Sequence, residues 1–244
     1  MQTWSVGIMC YNESQSLYPV VEKLRNVLQQ LTNTYEIVIV DDYSTDGSRE
    51  IAAALKKQYP EVKVVLHEVN KGIGQTLRSI YANAQYENIG FIPGDGQFDV
   101  DEYLPYKGIP YGSFISFYRK ENTSYSLFRN ILSLFNKQLN KVFIGMKLRD
   151  VNWTKIYKKV DIDSLELELT SSLVESEICA KLLFLGRKVI EVESKYLPRK
   201  YGESKGASLA IVKKALKDTV VLIGIMHQFR QKQRRLKVVP NNLE

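Results

Sequence analysis

The sequence predicts an α/β domain built on a mostly parallel, doubly wound sheet flanked by helices. Three observations predict it. Short apolar, β-branched runs alternate with segments of helical periodicity through the first hundred residues, the pattern of βαβ units. Each apolar run ends in polar residues: Asn12, Asp41 and Asp42, Asn70 and Lys71, and Asp95. A length of 244 residues with 44% hydrophobic side chains is ordinary globular composition, enough for one large α/β domain or two small ones with a sizeable core. Ligands of such sheets sit beyond the carboxyl ends of the strands. Four polar strand ends on one edge therefore describe a nucleotide pocket.

The elements follow in order. Val6–Cys10 is a short apolar strand, and Tyr11–Ser14 is the polar turn after it, with Asn12 or Ser14 available to cap the next helix. Leu17, Val20, Val21, Leu24, Val27, Leu28 and Leu31 recur three and four apart, as an amphipathic helix requires. Tyr35–Val40 reads as a strand buried on both faces. A helix from about Ser48 to Lys57 stops before Pro60, and Val62–Leu66 is the third strand. Asn70–Gly74 opens a helix running to about Ala84, and the apolar run Asn88–Ile92 is the fourth strand.

The second half is less regular. Gly112–Phe117 reads as a strand, 124–143 as a helix, Arg149–Tyr157 as a strand, Leu173–Leu185 as a helix and Lys188–Val192 as a strand. Tyr201–Lys205 is a polar loop, and from Ala207 the chain reads as a basic amphipathic helical tail with Leu209, Val212, Leu216, Val220 and Ile223 on one face. Residues 1–206 read as one domain, with 1–110 its regular half bearing the polar strand ends and 111–206 its less regular half; 207–244 are the tail.

The fourth strand delivers Pro93–Asp101, PGDGQFD followed by Val100 and Asp101. Asp95, Gln97, Asp99 and Asp101 present oxygens of the kind that Mg²⁺ or Mn²⁺ takes when it bridges to phosphates. The same residues also spell a surface turn. An EF-hand loop is excluded: counted from Asp95, Val100 stands where glycine is needed and Tyr106 where a bidentate glutamate is needed. Asp41 and Asp42 favour ligand contact over capping, which Asp46 or Ser48 would serve better. Gly72–Gly74 lacks the third glycine of a dinucleotide fingerprint, Leu77 standing in its place, and reads as a tight turn that lets backbone approach a nucleotide. Glu175 and Glu177 lie two apart on a helix, so they do not share a face; one is a solvated charge or a general base. Arg119, Arg129, Arg199 and Lys205 each border a strand end or loop and would make a phosphate-binding rim if they converge.

Charge and rare residues narrow the function classes. Much of the net charge of +7 lies after residue 195 and fits nucleic acid, anionic lipid, a phosphorylated substrate or a solvated face. No nucleic-acid-binding module is present. Only His67 and His227 occur, against a histidine triad or zinc site, and Cys10 and Cys179 are isolated, which suits buried thiols in a reducing compartment. No apolar run approaches a membrane span, and the N-terminus reads as a first strand rather than a signal peptide, so a cytoplasmic protein, free or peripheral on the membrane face, is expected.

The segments CYNES, EIVIVDDYSTDGS, NKGIG, PGDGQFD, LRDVNWTKIYKK, ESEICAKLLFLGRKVIEVE and RKYGESK, in this order over Val6 to about Lys205, resemble the family-2 glycosyltransferases of the GT-A fold. The resemblance is to the dolichyl/polyprenyl-phosphate mannose synthase-like branch. It implies a metal-dependent inverting transferase using a UDP- or GDP-linked sugar, with a polyprenyl phosphate as acceptor. A glycan or glycolipid hydroxyl as acceptor, or nucleotide-sugar binding without turnover, are its alternatives. It further implies that Asn12, Glu13, Asp41, Asp42, Lys71, Gly72 and Asp95 bind the nucleotide sugar. Asp95 and Gln97 would hold Mg²⁺ or Mn²⁺, with Pro93 standing where the motif's first acid is expected. Glu175 matches the general base of hydroxyl-acceptor members, and Asp150 an acid that orients the acceptor loop. Arg119, Arg129, Arg199, Ser204 and Lys205 match phosphate-binding positions. The tail would lie on an anionic membrane surface or pack on the domain.

Overall fold

A computed structural model describes residues 2–119, 148–199 and 209–238, the side chains of the last segment over 217–235. The expected helix at 124–143 with Arg129, and the loop carrying Ser204 and Lys205, lie outside the described residues. The first half alternates as expected: β1 (Trp4–Cys10), α1 (Leu17–Leu31), β2 (Tyr35–Asp41), α2 (Ser48–Gln58), β3 (Val62–Leu66), α3 (Ile73–Asn83) and β4 (Asn88–Pro93). A 3-10 turn at Val100–Tyr103 precedes β5 (Ser113–Arg119), β6 (Lys155–Lys158) and α4 (Lys159–Asp163). Then come α5 (Val174–Phe184), β7 (Lys188–Ser194) and α6 (Leu209–Val238).

The seven strands run in the order β3-β2-β1-β4-β6-β5-β7. β1 pairs in parallel with both β2 and β4, Cys10 facing Asp41 and Met9 facing Pro93. The chain thus winds outward from β1 in both directions, which leaves the crevice of a doubly wound sheet between the ends of β1 and β4. β6 is antiparallel to β4 and to β5, while β7 runs parallel to β5. Two apolar clusters cover the sheet. One holds Leu17, Val21, Leu24 and Leu28 of α1 with Ile8, Ile39 and Ile92; the other holds Leu77 and Ile80 of α3 with Ile178 and Leu182 of α5. At about 1.5–3 kcal/mol per buried aliphatic side chain, these faces fix the strand register.

Three local expectations are corrected. Ser16, rather than Asn12 or Ser14, sits at the N-cap position of α1, because the backbone and side chains of the preceding turn are tied to the β2–α2 loop. The strand expected over Arg149–Tyr157 begins only at Lys155, since the Asp150 side chain accepts the Asn152 N–H at 3.0 Å and turns the chain there. Among the described side chains of α6 the buried ones are Thr219, Leu222, Ile225 and Met226, while Val220 is 70% exposed, so over 217–235 the inward face is rotated from the expected one. That stripe packs on the domain, with Phe229 of α6 against Phe184 of α5 at 5.9 Å between ring centroids.

Candidate active site

The β1 and β2 loops are stitched together by side chains. Asn12 N–H donates to Ser44 Oγ at 2.9 Å, Thr45 N–H donates to Asn12 Oδ1 at 2.8 Å, and Glu13 N–H donates to Ser48 Oγ at 2.8 Å. Asn12 has φ +57°, which asparagine tolerates, and the turn directs Glu13 across the crevice. Gly94 closes the β4 side: its N–H donates to Met9 O at 2.9 Å, and a Cβ there would stand 2.7 Å from that oxygen. Asp95 follows at the mouth of the crevice.

Three stretches far apart in sequence meet here, around Glu13, Asp95–Gln97 and Tyr196–Arg199. Asp95 Oδ1 accepts the Gln97 N–H at 3.0 Å, and Gln97 Nε2 donates to the Tyr196 hydroxyl at 2.6 Å. Leu197 N–H donates to Gln97 O, and Phe98 bridges Tyr196, so the segment after β7 is pinned along the opening motif. That brings Arg199 over the crevice, where its guanidinium donates to Glu13 Oε1 at 2.5 Å. Burial raises the Glu13 carboxyl above its ordinary value; the Arg199 charge opposes this and the Asp95 charge adds to it. Burial likewise raises Asp95, against the Gln97 N–H and Arg199. Two partly desolvated carboxylates therefore share one arginine.

The other acids of the motif face elsewhere. Asp99 and Asp101 pair with Lys23 at 2.6 and 2.9 Å, and Asp99 accepts from Asp101 N–H, which excludes them from a metal cluster. Among the described residues no group of three or more His, Cys, Asp or Glu is placed to hold a metal ion. The oxygens of Asp95 and Gln97 fit a hard cation carried chiefly by phosphates and water.

Asp41 and Asp42 are structural in this conformation. Asp41 is fully buried, its Oδ1 accepting from Ser44 N–H at 3.0 Å and Arg49 Nε at 2.9 Å. Its Oδ2 has no hydrogen-bond partner. Burial and then the Asp41 charge push the neighbouring Cys10 thiol up to about 12. Asp42 accepts from Lys71 N–H at 2.8 Å and Gly72 N–H at 2.7 Å, and lies 2.7 Å from His67 Nδ1. Lys71 and Gly72 thus reach the edge with their N–H groups committed to Asp42. The close backbone approach expected at Gly74 is made by protein: a Cβ there would lie 2.1 Å from Ser171 O.

Glu175 is corrected from a site residue to a core one. Its side chain accepts from the hydroxyls of Tyr81 at 2.5 Å and Tyr157 at 2.8 Å, with Lys155 Nζ at 3.7 Å, and the residue is 2% exposed. Burial, then the Glu175 charge, lifts the Tyr81 hydroxyl well above its ordinary value, so it stays a donor. Glu177 is buried too, accepting from Glu168 N–H, Leu169 N–H and Lys181 Nζ. Asp150 holds Arg119 through Nε at 2.7 Å, and the guanidinium lies 4.7 Å from the Trp153 ring and 5.7 Å from that of Tyr196. Trp153 and Tyr196, which the sequence reading assigned no role, link Arg119 to Gln97; their aromatic character beside basic residues was the available signal.

Residues 5–106 match the family model described as glycosyl transferase family 2. The undecaprenyl-phosphate 4-deoxy-4-formamido-L-arabinose transferase of Photorhabdus laumondii is 28% identical over 217 residues, 85% of this chain and 64% of the relative. The chain thus spans just under two thirds of that relative's length. Among solved structures, glucosyl-3-phosphoglycerate synthase from Mycobacterium tuberculosis, in complex with Mn²⁺, UDP-glucose and phosphoglyceric acid, superposes with a TM-score of 0.66 at 15% identity. That match covers 91% of this chain and 80% of the other. The mannosyltransferase PcManGT from Pyrobaculum calidifontis, in complex with GDP-Man and Mn²⁺, gives 0.56 at 17% identity over 81% of this chain and 57% of the other.

Proposed function

From a chain whose residues 5–106 match the glycosyltransferase family 2 model and whose fold is GT-A, we propose an inverting transferase that moves a sugar from a nucleoside-diphosphate sugar to a polyprenyl phosphate. The observation that carries the reading is the meeting of Glu13, Asp95, Gln97 and Arg199 at the β1/β4 crevice. It sets carboxylate and amide oxygens beside a guanidinium, complementary to a diphosphate and its cation. The relatives named undecaprenyl-phosphate transferases support the acceptor class.

In this mechanism the acceptor phosphate oxygen attacks the anomeric carbon in line, and the bond from that carbon to the diphosphate breaks. The nucleophile is already anionic and needs little base catalysis. The buried, doubly hydrogen-bonded Glu175 agrees with that and disfavours a hydroxyl acceptor. Asp95 and Gln97 would hold Mg²⁺ or Mn²⁺, which when bound neutralises the leaving diphosphate. Arg199, which meets Glu13 at the crevice, and Arg119, held by Asp150 beside Tyr196, would bind phosphate. Among the described residues no helix is long and apolar enough to cross a membrane.

The test is transfer of radiolabel from UDP- and GDP-sugars to undecaprenyl phosphate with Mg²⁺ or Mn²⁺. Lipid-linked product, lost in Asp95→Ala, is expected. Label appearing only on a glycan hydroxyl overturns the acceptor assignment, and nucleotide-sugar binding without turnover overturns the activity.

A further inference from the structure

Tyr43 places a bulky side chain on a backbone conformation that bulky side chains avoid. Its φ is +69°, in the left-handed region that glycine enters freely and a residue with a Cβ does not. Asn12, with φ +57°, has a local reason for its conformation in the bond from Thr45 N–H. Tyr43 has none of that kind. Its side chain is 44% exposed, and its ring meets the Arg49 guanidinium only at 5.5 Å, near the outer limit of a useful cation–π contact.

The turn does not depend on the tyrosine side chain. Ser44 N–H donates to Asp41 Oδ1, Ser44 Oγ accepts from Asn12 N–H, and Asp42 is fixed by the N–H groups of Lys71 and Gly72. Glycine at position 43 would serve the same loop without strain. Strain maintained at a sheet edge where a ligand is expected points to the side chain's function. The ring leaves the carboxyl end of β2 on the edge that also leaves Leu66, Val69 and Ile73 more than half exposed. An exposed aromatic face at that edge suits a flat, apolar-faced group, and a nucleobase is the part of a nucleotide sugar with that chemistry.

We propose that Tyr43 supplies a stacking face for the nucleobase of the donor, and that its left-handed backbone is retained for that placement. The proposal rests on the nucleotide-sugar reading above. Calorimetric binding of UDP, GDP and inorganic diphosphate, each with Mn²⁺, to wild type, Tyr43→Gly and Tyr43→Phe tests it, with melting temperatures alongside. The expected result is a roughly tenfold or greater loss of nucleotide affinity in Tyr43→Gly, near wild-type affinity in Tyr43→Phe, and unchanged affinity for inorganic diphosphate. The melting temperature of Tyr43→Gly should equal or exceed that of wild type. Wild-type nucleotide affinity in Tyr43→Gly overturns the proposal alone. A lower melting temperature in Tyr43→Gly, or equal loss of diphosphate, also overturns it, because the ring would then be stabilising the loop. A wild-type protein that binds neither nucleotide overturns the donor reading and this proposal together.

Discussion

Asp95 carries its charge where burial opposes it, and its carboxyl is raised above the ordinary value mainly for that reason. A carboxyl with a raised folded-state pKa favours folding below its unfolded value near 4, and that contribution is lost as pH rises through the folded value. At pH 7 the ionised group therefore works against the fold. Asp95→Asn should melt higher than wild type at pH 7, with the gain shrinking to nothing below about pH 4, while metal-dependent nucleotide binding falls. Thermal melts across pH, with nucleotide titrations, check both halves. Glu175→Gln removes the charge beside Lys155 and offers an amide N–H₂ to a hydroxyl that now donates, at a cost of about 1–3 kcal/mol. At about 2–4 °C per kcal/mol the melting temperature should drop measurably, with kcat of the folded enzyme little changed. A large fall in kcat at unchanged stability would return Glu175 to the chemistry.

Between elements, contacts set the crevice more than the strands do. The start of α3 lies against the 170–171 backbone, and Arg78 of α3 donates to Leu167 O at 2.6 Å. Gly74→Ala must push that backbone away, so a drop of several degrees in melting temperature is expected together with a higher donor KM. Melting curves and steady-state kinetics of the variant test the coupling. The Lys232–Glu166 pair joining α6 to the domain is the contrasting case. Both side chains are exposed, so solvent and salt screen the pair and it adds little to stability. Lys232→Ala should leave the melting temperature within about 2 °C of wild type, because the buried Leu222, Ile225 and Met226 hold the helix in place.

For the molecule as a whole, the order β3-β2-β1-β4 brings the loops after β1, β2 and β4 to one edge, and the bridge between Phe98 and Tyr196 folds the second half's Arg199 back over it. With one carboxylate and one amide as the protein's offer, a divalent cation should bind weakly alone and tightly with the nucleotide. Mn²⁺ or UDP separately should shift the melting temperature little and the two together by several degrees, as mass action requires. Chelation should abolish the joint shift in a thermal-shift assay. Equal shifts from Mn²⁺ alone would require a complete protein metal site.

The alternation of β-branched runs with amphipathic segments determined the first four strands and three helices, because period and burial are properties of contiguous residues. The strand ends at Asn12, Asp41 and Asp95 were legible for the same reason, and Pro93 marked the missing first acid of the motif. Only the tertiary structure decided what those residues do. Glu175 is a core residue because Tyr81 and Tyr157, on other elements, point hydroxyls at it. Asp42 is occupied because the loop at Lys71–Gly72 closes on it, and Asp99 is withdrawn because Lys23 of α1 lies within reach. The inward face of α6 turned on what α5 offered it, which no periodicity within the helix records. A carboxylate's role depends on which donors reach it through space, and in this fold most of those donors come from other elements of the chain.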